Sequence, residues 1–420
     1  MDKMADVLGR AGAWCGQNKY LSAIKNAFQN FMPLTIAGAI GVLWCNVLVN
    51  DQTGLGLFFK PIMALDFLNP AFQAVNFCTI SCITVGITLG IAQEIGVWNM
   101  GAERAGYIPG LVGLAAWLSV TNTSHMVEGA KEAFTGIAGN ELGATGLFTG
   151  MIIGVLSVEL FCFFEKQDAL KIKMPEQVPP GVARAFEVLV PATITLIITA
   201  CIGSACYNLT GLYLNDVIKN GIQGPLGAVG ATIPGVMIIY LVIMLFWLVG
   251  IHGNNMLSAV KEALFTPLAL ENVEKFNKGE KPTNIINMYF LQMCGEFGGS
   301  GVTIGLVIAI MIFGKREDNK AIATLSLVPG LFNINETVTF GIPMVLNPIL
   351  GIPFVFACLV TILVGYVLTV IGFCPVACLT VPWTTPPIVF GFLATGANVM
   401  GAVTQAILIV VSTVIYVPFL

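Results

Sequence analysis

Long apolar runs broken by short polar stretches dominate this chain. A helix that crosses a bilayer needs about 20 mostly apolar residues. Runs of that kind fall at residues 31–49, 72–96, 106–120, 144–164, 186–207, 225–250, 302–314, 349–373 and 402–420. Several are short or interrupted, which predicts roughly eight to ten spans. Ahead of the first run, residues 2–29 place Leu21, Ile24 and Phe28 at helical spacing, with Lys19 and Lys25 on other faces. That pattern predicts an amphipathic helix lying in the membrane interface.

The two halves differ in texture. Gly146, Gly150 and Gly154 recur four apart in the first half, a spacing that lets helices approach closely. They suit either a dimer face or packing inside one subunit. After Gly250 the apolar pattern breaks into pieces rich in Gly, Asn and Pro, at residues 252–255, 295–303, 329–343 and 375–387. Irregular backbone at membrane depth is tolerated only where it is buried in protein or lines a wet cavity. In transporters such broken helices mark substrate sites. A functional site is therefore expected within residues 247–390. The run at 289–314 either crosses once or folds back at Gly298-Gly299-Ser300-Gly301.

Composition strengthens the membrane reading. Of the 420 residues 56% are apolar and only 10% charged, far below the charged share of a soluble domain. No basic block points to nucleic acid. Eleven Cys are scattered through apolar runs with two His in the whole chain, so no metal set is expected and the thiols read as packing residues. Residues 1–30 lack the short apolar core and cleavage site of a signal peptide. Lys3, Arg10, Lys19 and Lys25, then Lys166, Lys171, Lys173 and Arg184, then Lys275, Lys278 and Lys281 flank successive runs. By the positive-inside rule these segments, and the N-terminus, are expected to be cytoplasmic.

Four clusters carry candidate chemistry. His252, in Trp247-Leu248-Val249-Gly250-Ile251-His252-Gly253-Asn254-Asn255, is a candidate base for a hydroxyl. Asn254 and Asn255 offer paired donors and acceptors to a sugar. The competing reading of His252 is a core histidine that caps a helix end. Glu336 follows Asn333 and Asn335 inside apolar sequence, where a carboxylate is expensive and usually functional; a structural ion pair or a protonated glutamic acid is the alternative. Trp247 and Trp383 are candidate platforms for the C–H face of a sugar, with Thr384 and Thr385 for its hydroxyls. Asn140, in a turn before the 144–164 run, reads either as a ligand contact or as a turn residue. Glu94, Glu159 and Glu187 read as residues at span ends, and Lys261 and Glu262 as interfacial.

Taken in order, His252-Gly253-Asn254-Asn255, Gly298-Gly299-Ser300-Gly301-Val302-Thr303, residues 328–336 with Phe340-Gly341-Ile342-Pro343, and Trp383-Thr384-Thr385-Pro386-Pro387 resemble the enzyme IIC component of phosphotransferase-system sugar transporters of the lactose/cellobiose/N,N'-diacetylchitobiose family. That resemblance implies an all-α polytopic membrane protein of about ten helices with re-entrant hairpins. It implies a homodimer, with residues 1–215 as scaffold and residues 216–420 carrying sugar across the membrane as an elevator. Glu336 would accept from the sugar's C6 hydroxyl, with His252 close to the same oxygen. Trp247, Asn255, Asn335, Trp383 and Thr384 would line the pocket. No Cys here reads as a phosphocysteine, so a phosphorylated enzyme IIB partner is expected, and no cofactor. Cellobiose or diacetylchitobiose is the favoured substrate. A lactose-specific member, or an ion-coupled sugar symporter with Glu336 as its proton site, is the alternative.

Overall fold

The computed structural model describes residues 2–51, 55–125, 134–175, 177–342, 344–345, 347 and 349–420. Pro343, Leu346 and Pro348 of the motifs quoted above lie outside the described residues. The chain is almost entirely helical; a two-residue antiparallel pairing of Ser124–His125 with Phe134–Thr135 is the one sheet among the described residues. Five helices are long and apolar enough to cross a membrane, Lys19–Leu48, Ala144–Glu165, Pro180–Thr210, Gly351–Val370 and Val399–Phe419. The number is seven if the bent pairs Lys60–Ser81 with Ile83–Met100 and Leu214–Gly230 with Ile233–Leu248 each count as one. The apolar runs at 106–120 and 302–314 become the shorter helices Ile108–Val120 and Ile304–Phe313.

The backbone packs as two compact units, one of residues 18–34 and 79–226, the other of residues 1–17, 35–78 and 227–420. The first unit is built on helices Ile83–Met100, Ile108–Val120, Ala144–Glu165 and Pro180–Thr210. Small residues set their spacing. A Cβ on Gly150 would stand 2.2 Å from Thr88 Oγ1, and one on Gly113 would stand 2.3 Å from the Cβ of Ala92. Within this chain, Gly150 and Gly154 of the stripe pack against Thr84 and Thr88 of helix 83–100, and Gly146 against Glu141 and Trp117. Charges tie the helix ends together: Glu165 accepts from Arg104 at 2.9 Å and Arg184 at 2.9 Å, and Glu187 from the same two arginines. Glu159 pairs with Lys19 at 2.6 Å, and Glu94 accepts from Asn26 at 2.9 Å.

Residues 2–29 do not form one interfacial helix. Asp2–Gln17 is a helix of its own, and Lys19 opens a second that runs without a break to Leu43. The amphipathic turns of residues 19–29 are therefore the start of the first long apolar helix. Pro33 does not end it, because the run of residues on both sides keeps helical geometry.

The other unit surrounds one large apolar core, in which Tyr240, Trp247, Phe265, Phe290, Phe297, Phe354 and Tyr416 are fully buried. Within it the chain folds back near Gly298–Gly301. Gln405 donates to the carbonyl of Met293 at 3.1 Å, Tyr416 donates to the carbonyl of Gly301 at 2.8 Å, and Gly305 packs back onto Ser412. The segment climbs helix Val399–Tyr416 and then begins to return. Gly298, Gly299 and Gly301 all take positive φ, as does Val302 at 49°, which is how so sharp a reversal is made.

Lys261 and Glu262 are turned into the protein. Lys261 is buried and pairs with Glu296, which also accepts from the hydroxyl of Tyr240 at 2.7 Å. Glu262 accepts from Thr266 one turn on along the same helix. A lysine is tolerated in an apolar core only when its charge is paired and hydrogen-bonded in this way.

Candidate functional site

Four short breaks between the longer helices of the 227–420 unit meet at one place: residues 252–255, 298–301, 333–336 and 383–385. Three asparagine amides join them. Asn254 donates to Ser300 Oγ at 3.0 Å. Asn333 accepts from the backbone N–H of Gly298 at 2.7 Å and donates to the carbonyls of Trp383 at 2.5 Å and Thr385 at 3.0 Å. Asn335, only 3% exposed, donates to the carbonyl of Ser300 at 3.0 Å and to Thr339 Oγ1 at 3.1 Å. Asn333 sits at φ 64°, a left-handed conformation that asparagine adopts more readily than other side-chain-bearing residues. Gly299 has no alternative: at φ 87° a Cβ there would lie 2.6 Å from the Cβ of Asn335.

Those tips carry the two candidate groups, Glu336 and His252. Glu336 begins the short helix Glu336–Gly341, where the free N–H groups favour a carboxylate. Its side chain is 47% exposed. His252 caps helix Gly253–Met256: its Nδ1 accepts the backbone N–H of Asn255 at 3.2 Å. A neutral ring whose Nδ1 accepts carries its proton on Nε2. That Nε2 lies 3.7 Å from Glu336 Oε1. The gap is too long for a good hydrogen bond and leaves both groups free to engage a third atom. The capping reading of His252 is met by Nδ1, while Nε2 is left on the side of Glu336.

The other candidates divide by exposure. Trp247 is 1% exposed and lies beneath His252, ring centroids 4.4 Å apart, with Phe340 at 6.4 Å. Its indole N–H has no hydrogen-bond partner, and neither has Asn254 Oδ1. Trp383 is 42% exposed, Thr384 is half-buried, and Asn255 is exposed. Asn140 is exposed on the Gly139–Leu142 turn, in the other packing unit. Sequence reasoning passed over Ser300 as an individual residue. Its signal was the glycine triplet around it, since a serine among three turn glycines has both its hydroxyl and its carbonyl free for partners.

These features define a polytopic helical membrane protein whose polar groups are gathered on broken segments inside an apolar body. Comparison with known proteins narrows that class. Residues 25–358 match the family model described as Phosphotransferase system, EIIC. The oligo-beta-mannoside-specific EIIC component of Bacillus subtilis (strain 168) is 33% identical over 100% of this chain and 93% of its own length. The cellobiose-specific EIIC component of Lactococcus lactis subsp. lactis (strain IL1403) is 29% identical over 99% of this chain and 96% of its own. The solved structure of the transporter ChbC, the IIC component of the N,N'-diacetylchitobiose-specific phosphotransferase system, superposes with a TM-score of 0.88 at 29% identity, over 97% of this chain and 94% of that one. The chain belongs to the EIIC family of the phosphotransferase system, as its second-half motifs led us to expect.

Proposed function

We propose that this EIIC component binds a β-linked disaccharide, cellobiose or N,N'-diacetylchitobiose first among them, and presents its C6 hydroxyl to a phosphorylated EIIB protein. The observation that carries this reading is the pair formed by Glu336 and the Nε2–H of His252, 3.7 Å apart on an exposed edge of the buried core. A sugar hydroxyl between them would donate to the carboxylate and accept from the imidazole. The carboxylate, not the ring, then takes the proton, because the ring's acceptor nitrogen is already engaged with Asn255. In-line attack of O6 on an EIIB phosphocysteine forms the O–P bond, breaks the S–P bond and releases the thiolate, while the hydroxyl proton passes to Glu336. Phosphoryl transfer of this kind depends chiefly on positioning and charge. The product would carry a phosphate beside the same carboxylate and rebind poorly, so uptake would run one way.

In this reading Trp383, Thr384 and Asn255 touch the sugar, while Asn333, Asn335 and Trp247 fix the walls. Asn254 does both, since its Oδ1 is unused. The relatives' sugars support a β-linked substrate: their names span oligo-beta-mannosides, cellobiose and diacetylchitobiose. We further propose the arrangement the family resemblance implies: ten helices, a homodimer in the bacterial cytoplasmic membrane, a scaffold within residues 1–215, a mobile sugar carrier in residues 216–420, and a cytoplasmic N-terminus.

The test uses membrane vesicles containing this protein, radiolabelled cellobiose or diacetylchitobiose, and phosphorylated EIIB. Sugar phosphate that appears only with the phosphoryl donor is the expected result. Unmodified sugar accumulating on a proton gradient without donor would make the chain a symporter and Glu336 a proton site.

A further inference from the structure

The unit of residues 18–34 and 79–226 holds a second buried polar cluster, outside the site just described. Glu141 lies on the Gly139–Leu142 turn that leads into helix Ala144–Glu165; it is buried, and its Oε2 has no hydrogen-bond partner. Asn215, on helix Leu214–Ile218, is fully buried with its amide N–H toward the Glu141 carboxyl, and its Oδ1 has no hydrogen-bond partner. Gln223, on the adjoining π-helical turn Lys219–Gln223, donates through Nε2 to the carbonyl of Ala144 at 3.5 Å and leaves Oε1 unpartnered. Trp117 reaches the same junction: its ring would stand 3.3 Å from a Cβ on Gly146, and its indole N–H is also unpartnered.

Buried polar groups are nearly always satisfied, and a buried carboxylate is kept ionised only by a countercharge. Among the described residues, the titratable groups that act on Glu141 are His125 and Asp216. Asp216 adds like charge, and His125 faces Asn122 through Nδ1 and packs on the ring of Phe134, with its Nε2 unpartnered. The arginines of this unit are committed to Glu165 and Glu187 at the far end of helix 144–165.

We propose that Glu141, Asn215 and Gln223 bind a partly hydrated alkali-metal cation. One carboxylate and two amide oxygens form a hard, all-oxygen donor set of a single negative charge, which suits a monovalent ion and not a transition metal. Water completing the shell would take the remaining donor, Trp117 Nε1. The ion would tie the entry turn of helix 144–165 to residues 215–223, and it takes no part in phosphoryl transfer.

The test is thermal unfolding of the full-length protein in detergent, titrated with sodium or potassium chloride against choline chloride at constant ionic strength. The wild type should show a saturable rise in its unfolding midpoint with one of the two ions. Glu141→Gln should abolish that rise, and Gln223→Met should shift its half-saturation at least tenfold upward. Glu336→Gln should keep it, which separates this site from the sugar site. Equal midpoints in all three salts for the wild type, or an unchanged rise in Glu141→Gln, would overturn the proposal and leave the cluster as protonated carboxyl plus water. The wild-type titration decides the matter even if a variant fails to fold.

Discussion

Asn333 donates its side-chain amide to the carbonyl of Trp383 at 2.5 Å, across fifty residues of sequence. The same amide holds Thr385 and, through its oxygen, Gly298. One residue in a left-handed turn thereby fixes the positions of two other tips. Asn333→Ala should weaken sugar binding roughly 10- to 100-fold, since a buried network loses about 1–3 kcal/mol when a partner is removed. Binding titrations would show it. An affinity within twofold of wild type would mean that the latch does not position Trp383.

Glu336 and His252 are expected to fail differently. Glu336→Gln should cut donor-dependent sugar phosphorylation by about 10²-fold or more while sugar still binds. His252→Gln keeps an N–H donor near the hydroxyl and should retain more activity than His252→Phe. Equal loss in both histidine variants would return the base role to the imidazole.

Gly299 and Gly211 both take positive φ, at 87° and 72°. Nothing lies within 4 Å of a Cβ built on Gly211, whereas on Gly299 it would collide with Asn335. Gly211→Ala should cost about 1 kcal/mol, the ordinary strain of a left-handed residue. Gly299→Ala should cost several times as much, because strain and overpacking add. Melting temperatures of the two variants in detergent rank them directly.

The buried pair of Lys261 and Glu296 is better broken twice than once. Lys261→Met leaves Glu296 buried without its countercharge, at a cost of about 3–5 kcal/mol. Lys261→Met combined with Glu296→Gln should recover much of that loss. Unfolding midpoints of the single and double variants check this, and a double variant no better than the single would show that the pair does more than neutralise charge.

Much of this was legible in the sequence because hydropathy reports membrane burial directly. The apolar runs found along the chain became helices, those at 72–96 and 225–250 as bent pairs, and the Asn- and Gly-rich breaks became the meeting tips. The roles of individual asparagines were not legible. Asn333, Asn335 and Asn255 share a residue type, and only the fold shows that the first two spend their amides on neighbouring backbone while the third stays exposed. The burial of Lys261 was hidden for a similar reason. Its partner Glu296 is 35 residues away, and no local pattern links them. Residues 19–29 misled in another way, because the first turns of a long helix show the same amphipathic spacing as a helix lying flat.

Gln405 and Tyr416 hold the fold-back at Met293 and Gly301 from the last long helix. Gln405 also accepts the N–H groups of Ile388 and Gly391, both at 2.7 Å, and so anchors the segment that follows Trp383. A ribosome delivers the tips before it delivers the helix that secures them. During synthesis the earlier segments must wait in the membrane with open glycine turns and unclaimed carbonyls. Maturation of the pocket then waits on helix Val399–Tyr416, and damage to that helix would leave the earlier tips without the groups that hold them.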